Sequence, residues 1–410
     1  MSHPFPLSSF RVDSVDDIER IRGLGLRQLR WSHDKSAPHE GDGAAGAERA
    51  GPAAVQAEAP APARPARAKA AVTPQERRRA LLEAQRGAAR RCEEQFDEAT
   101  AALKLAVADV RDKPDAAREA SQALARALHE KMLGDEQLCV CVLSAQAGEK
   151  PMAHSLNVAV ISMLMARLFR FEQQDMLELG TGALLHDIGK LELPHRVHTR
   201  QERLSPAEAQ AYRDHVRLGV TLGQRMNLPA TTLQVIEQHH EHADGSGFPQ
   251  GLGMDRMSDA ARIVSLVNRY DDLCNPRNPG RAMTPHEALS RLFAQGKGKF
   301  DATMLNAFIR MMGVYPAGSV VQLTDDRFAI VTHVNASRPL KPQVLVHDPA
   351  VPRDEALTLN LLGEPDLGIR RSLPAAQLPD GIREYLQPVQ RLAYFFEPVA
   401  SPGELEPAWL

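Results

Sequence analysis

Cysteine is scarce in this chain, with four residues in 410: Cys92, Cys139, Cys141 and Cys274. They lack zinc-ribbon spacing, and Cys139-x-Cys141 is tighter than the usual redox motif, so they read as buried thiols in a reducing cytoplasm. Long apolar runs are missing too. The most apolar stretch, Val158 to Phe169, is interrupted by Arg167 and falls short of the roughly 20 residues that span a bilayer. Met1 to Phe10 contains Pro and His and no apolar run, so no signal peptide is visible, and a cytoplasmic protein with no membrane partner is expected. An excess of one charge is also absent. The formal net charge of -3 argues against a protein that coats DNA, and leaves room for a local cationic pocket around a phosphate ligand.

What the chain does contain is mostly helical pattern, enough for two or three domains. Residues 1–36 read as a partial N-terminal α/β domain, with a short helix after Ser14 and a strand over Leu26 to Trp31, and Met1 falls within what would be a longer domain. Residues 37–72 are Ala, Pro, Gly and charged residues that cannot bury enough surface to offset ordering, which predicts a disordered linker. Thr73-Pro74-Gln75-Glu76 has the residues of a capping box, and a helix to about Val110 followed by a second to about Leu133 makes 73–133 a helical hairpin, a dimerisation stalk or the first layer of the next domain. The stalk alternative implies a homodimer through these helices. Residues 134–316 read as almost continuous helices, with further capping-box starts at Ser205 and Thr284. Beyond Pro316 the period changes, and 317–410 reads as a small β-rich domain. The fold class is mainly α: a helical bundle with a small C-terminal β-rich domain and a short N-terminal α/β piece.

Of the 15 histidines, His154, His186, His195, His198, His215, His239, His240 and His242 fall within 154–242. A single histidine on an apolar helix face is ordinarily a satisfied core residue. Several on helices that converge, one of them bonded in sequence to Asp187, make a metal site the better reading, because imidazole and carboxylate suit a Lewis-acidic divalent ion.

His186-Asp187-Ile188-Gly189-Lys190, then His215 with Gly219, then His239-His240-Glu241 and Asp244-Gly245-Ser246-Gly247-Phe248-Pro249, resemble the HD-GYP family of HD phosphohydrolases in order and spacing over about 150–315. The resemblance implies an HD-domain bundle and a phosphodiesterase that hydrolyses cyclic di-GMP to pGpG or GMP with two divalent ions, Fe or Mn. It implies metal ligands at His154, His186, Asp187, His215, His239, His240 and Asn268, with Asp187 bridging the ions and catalytic. Lys190 matches the lysine that holds a substrate phosphate, and Arg277 is what remains of a substrate-contacting segment. Residues 1–36 resemble, more weakly, the later part of a domain often joined to such modules.

Three positions depart from the family pattern. Asn268 stands where the last ligand is an Asp, so one ion loses a negative charge, while Asp271 aligns with a second Asp and reads as structural support. Lys150 stands where members with three ions carry a Glu; Glu149 is one position away, about 100° around a helix, which argues against a third ion. Phe248 replaces the tyrosine of the family name. These departures motivate the alternative of a catalytically weak receptor that binds cyclic di-GMP or presents Gly247-Phe248-Pro249 to a diguanylate cyclase. His242 is expected either to orient a ligand or, like His195 and His198, to be a solvated loop residue.

Overall fold

Thr73 opens the first helix as expected: its backbone N–H donates to Glu76 Oε2 at 2.8 Å, and its hydroxyl accepts from the Glu76 N–H at 3.2 Å. The structure, a computed structural model, describes residues 73–133, 138–144, 150–194, 197, 205–335 and 338–398. Expectations for 1–72, Glu149, His195 and His198 lie outside the described residues. Contacts divide the chain into Ser14–Ala80 and the remainder, and of Ser14–Ala80 only 73–80 is described.

Helices α1 (Pro74–Asp109) and α2 (Pro114–Leu133) lead into a bundle of α3 (Lys150–Leu168), α4 (Gln173–Leu185), α5 (Pro206–Arg213), α6 (His215–Arg225), α7 (Ala230–Gln238), α8 (Asp259–Cys274), α9 (Pro285–Gln295) and α10 (Ala302–Met312), with a short α11 (Asp380–Leu386) near the end. Local chemistry sets the starts. Ser205 and Thr284 form reciprocal capping boxes with Glu208 and Glu287, Ser258 accepts from the Ala261 N–H, and Asp301 accepts from two N–H groups of α10. Helix α3 is apolar on every side and is buried accordingly, with Leu156, Val158, Ile161, Met163 and Met165 all enclosed. Helix α2 buries Leu124, Leu128 and Met132 in the same core, so it is a layer of the bundle.

The sheet departs from expectation. It is antiparallel, with strands in the order β5 (Thr358–Asn360), β4 (Gln343–Val346), β3 (Phe328–Asn335), β1 (Leu138–Ser144), β7 (Leu392–Pro398), while β2 (Val320–Leu323) pairs with both β3 and β6 (Ile369–Ser372). Strand β1 comes from the region read as almost continuous helix, and Val140 faces Val334 on one side and Phe396 on the other. The six-residue apolar run 138–143 has no period to separate a buried strand from a buried helix, and its partners lie at the far end of the chain. The β-rich part is therefore not confined to 317–410. One apolar core continues from α1 through the bundle into the sheet.

Polar bonds bolt this sheet to the bundle. Asn157 of α3 donates to the Leu392 carbonyl at 2.9 Å and to Asp271 Oδ1 at 2.8 Å, and accepts from the Tyr394 N–H at 2.7 Å. Tyr270 of α8 meets Tyr394 hydroxyl to hydroxyl at 3.0 Å. The two helices that carry His154 and Asn268 are thus held by one strand. Among the described residues no helix is long and apolar enough to cross a membrane.

Candidate metal centre

Helix ends and one helix interior deliver the histidines to a single point. His186 caps α4 and Asp187 follows it in the turn to a 3-10 segment, Ile188–Glu192. His215 begins α6, His239 caps α7, and His154 lies inside α3. The Asp187 carboxylate stands between them. Its Oδ2 is 3.6 Å from His154 Nε2 and 3.4 Å from His186 Nε2, and its Oδ1 is 3.4 Å from His215 Nε2 and 3.7 Å from His239 Nε2. Two groups result, His154–His186–Asp187 and Asp187–His215–His239–His240, with ligand atoms inside each within 4.8 Å of one another.

The outer nitrogens explain why the inner ones converge. Nδ1 of His186, His215 and His239 each meets a backbone carbonyl, of Ala183, Tyr212 and Ile236, at 2.8, 2.6 and 2.7 Å. His154 Nδ1 meets Asp271 Oδ2 at 2.6 Å instead. A proton held at Nδ1 leaves the Nε2 lone pair for the centre, the usual arrangement of an imidazole that ligates a metal. Gly189 allows the approach: a Cβ there would fall 1.9 Å from the His215 carbonyl oxygen and 2.4 Å from Gly219 N.

Burial sets the charge states. It drives His215 down to about 4 and His239 and His240 well below the ordinary histidine range, which keeps these imidazoles neutral. Burial acts on His154 in the same sense but is outweighed by the hydrogen bond and charge of Asp271, which push it up to about 9. Desolvation would raise Asp187, yet Lys190 and His186 hold it well below the usual carboxylate range. Asp187 Oδ1 and His240 Nε2 are buried without a hydrogen-bond partner in the described residues. Orphaned polar atoms of this kind are costly, and a shared divalent cation is what would satisfy both. The neutral imidazoles of His215, His239 and His240 beside one ionised carboxylate fit such an ion.

The centre opens into a cavity of about 480 Å³, walled by His239, His240 and Asn268 and by several groups that sequence reasoning missed. Tyr212, Arg213, Arg269, Asp272, Arg291 and Lys299 all line it. Scattered single arginines and lysines on helices carry no motif; only Asp272, beside Asp271 in the family pattern, had a sequence signal. Asn268 is 3% exposed and sits on the cavity wall, and among the described residues its amide makes no hydrogen bond.

Glu241 builds the loop that roofs this cavity. Its buried carboxylate accepts from the N–H groups of Gln250 (2.7 Å), Gly251 (3.1 Å) and Leu252 (2.9 Å). Gly247 is required because a Cβ would meet Glu241 Cα at 2.4 Å. Phe248 of the Gly247-Phe248-Pro249 motif stacks on His240, with ring centroids 4.5 Å apart, and the Arg213 guanidinium lies 5.0 Å from the Phe248 centroid. His242 bonds Ser246 at 3.0 Å and forms part of the cavity wall, so it is neither a ligand's partner nor a purely solvated residue.

Two expected substrate contacts are placed differently. Lys190 pairs with Asp187 Oδ2 and lies 5.4 Å from the Tyr212 ring centroid. Arg277 does not line the cavity: its guanidinium covers Tyr212 at 4.3 Å and donates to the Val197 carbonyl at 3.2 Å. Asp271 is not turned to the centre as a ligand, because both its oxygens are engaged by His154, Asn157 and Asn275.

Comparison with known proteins agrees with this geometry. Residues 118–304 match the HD domain family, and residues 1–121 match a domain of unknown function, a match that runs across the boundaries expected at 36 and 72. A cyclic di-GMP phosphodiesterase of Pseudomonas aeruginosa is 28% identical over 348 residues, 84% of this chain and 80% of that protein. A cyclic di-GMP phosphodiesterase response regulator of Xanthomonas campestris is 30% identical over 152 residues, 37% of this chain and 40% of that one. Among solved structures, an HDGYP protein of Bdellovibrio bacteriovorus aligns with a TM-score of 0.43 at 20% identity, over 57% of this chain and 76% of that one. Helices converging on a His-Asp pair, in a region that matches the HD domain, define an HD-domain protein. Within that class the chain is similar to relatives named cyclic di-GMP phosphodiesterases.

Proposed function

We propose that the chain hydrolyses cyclic di-GMP to the linear dinucleotide pGpG or on to GMP, as a phosphodiesterase of second-messenger signalling in the cytoplasm. The observation that carries this reading is the Asp187 carboxylate, one oxygen facing His154 and His186 and the other facing His215 and His239. Such a carboxylate can hold two cations a few ångströms apart. His154 and His186 would hold one, and His215, His239 and His240 the other, with Asn268 adding a neutral carbonyl oxygen and Fe or Mn as the expected ions. When bound, a pair of divalent ions supplies Lewis acidity and an acidified water for in-line attack on phosphorus.

The residues supply orientation and charge. Backbone carbonyls and Asp271 fix the imidazole rings. Arg213, Arg269, Arg291 and Lys299 give the cavity cationic walls for an anionic ligand. The Lys190 ammonium, beside the carboxylate that would bind the ions, is placed to neutralise charge building on the phosphoryl oxygens. Hydrolysis breaks one ribose oxygen–phosphorus bond: the water oxygen joins phosphorus and the departing oxygen takes up a proton, which yields pGpG. A diguanylate cyclase remains a candidate partner for the Phe248 loop, and α1 with α2 the candidate dimer surface.

The test is turnover of cyclic di-GMP by the full chain loaded anaerobically with Fe or Mn. Asp187→Ala should abolish it while the protein stays folded. Absence of turnover with Fe, Mn, Co, Ni and Mg under reducing conditions would overturn the enzymatic reading.

A further inference from the structure

A second set of metal-ligating side chains lies away from the HD centre, between α1 and the sheet. Antiparallel register sets Cys141 of β1 opposite His333 of β3, and Cys139 opposite Glu397 of β7, so all four share one face. Ligand atoms of Cys141, His333 and Glu397 fall within 4.8 Å of one another. Helix α1 lays Cys92 on the same cluster, its Sγ 3.1 Å from Cys141 Sγ.

His333 Nε2 meets Glu397 Oε1 at 2.6 Å, while His333 Nδ1 is buried with no hydrogen-bond partner in the described residues. The sulfurs are enclosed, whereas His333 and Glu397 keep 20% and 18% of their side-chain surface in solvent, which leaves a route of entry. A buried, unpartnered ring nitrogen is unfavourable in the absence of a ligand.

We propose that Cys92, Cys141, His333 and Glu397 form a binding site for one thiophilic divalent ion, with Zn²⁺ the best fit. Two sulfurs, an imidazole and a carboxylate supply the four donors of a tetrahedral zinc site, and sulfur disfavours Mg²⁺ and Ca²⁺. Each thiol gives its proton to solvent as its sulfur bonds the ion. The pairs at 3.1 and 2.6 Å are closer than ligands around one zinc, so the side chains must part by less than about 1 Å, given bonds of about 2.0–2.3 Å. The ion would tie α1 to β1, β3 and β7, elements remote in sequence. It is independent of the HD centre, which contains no sulfur.

That difference in donors makes the site testable in the full chain. Protein purified anaerobically with a thiol reductant and loaded with Co²⁺ should show a thiolate-to-cobalt charge-transfer absorption, which a histidine–carboxylate centre cannot give. Cys141→Ser should remove it along with one metal equivalent per chain, and leave the cobalt around Asp187 in place. His333→Gln, at a half-buried position compatible with folding, should weaken or remove it if Cys141→Ser fails to fold. The proposal is overturned if the wild-type protein shows no such band, if the band is unchanged in both variants, or if Cys92 and Cys141 are found joined as a disulfide in protein isolated from a reducing cytoplasm.

Discussion

Asp271 Oδ2 lies 2.6 Å from His154 Nδ1, and its other oxygen accepts from Asn157 at 2.8 Å, so the carboxylate that aligns with the second Asp of the family pattern stands one step behind a proposed ligand. Through Asn157 and its bonds to β7, the sheet reaches the metal centre. Replacing the carboxylate by an amide, Asp271→Asn, should weaken metal binding on the His154 side about 10–100-fold and spare the ion held by His215, His239 and His240. Metal analysis after dialysis checks this; full retention of both ions would refute it.

Asn268 lines the cavity beside His239 and His240 without a hydrogen bond of its own in the described residues. Asn268→Asp should therefore raise metal affinity several-fold, because an added negative charge faces cations in a low-dielectric site. Turnover at limiting metal should rise with it. Equal metal occupancy and equal turnover in both forms would show that this position is not a ligand.

Gly189→Ala places a methyl 1.9 Å from the His215 carbonyl oxygen. The 3-10 segment and α6 must then separate, which should lower stability by about 1–3 kcal/mol and disturb His186, Asp187 and His215 together. Denaturant unfolding and metal content measured on the same preparation check both effects.

In metal-free protein the centre should make stability depend on pH from both sides. The His215 pKa falls from 6.5 to about 4 on folding because of burial, so its contribution is complete above 6.5 and is lost as pH falls toward 4. That window is worth on the order of 3 kcal/mol at about 1.4 kcal/mol per pH unit. The His154 pKa rises from 6.5 to about 9 through Asp271, against burial, so its contribution is complete below 6.5 and is lost as pH rises through 9. Chelator-treated protein should be most stable near pH 6.5. His154→Gln should flatten the alkaline limb alone, as read by thermal unfolding across the pH range.

Metal uptake should also expel a proton. His154 is protonated in the metal-free protein below about pH 9, and a ligand nitrogen must be free. Calorimetry at about pH 7.5 in buffers of different ionisation enthalpy should show about one proton released for the ion on the His154 side, and none in Asp271→Ala, where the group holding that proton is gone.

The convergence of the candidate ligands was legible because family spacing carries it: His154, His186, Asp187, His215, His239 and His240 come together at one point. The cavity's cationic wall was not, since Arg213, Arg269, Arg291 and Lys299 come from separate stretches of chain and share no local pattern. Arg277 was expected at the substrate as the remnant of a family segment, and the fold stacks its guanidinium on Tyr212.

Helix starts and the helical period that leads into the His-Asp turn follow from the sequence alone, because capping boxes and apolar period act within a few residues. Strand β1, the bond from Asp271 to His154, and the meeting of Cys92 and Cys141 with His333 needed the tertiary structure. Each joins groups far apart in the chain, and a hydrogen bond or a metal shell depends on positions within tenths of an ångström that only packing can set.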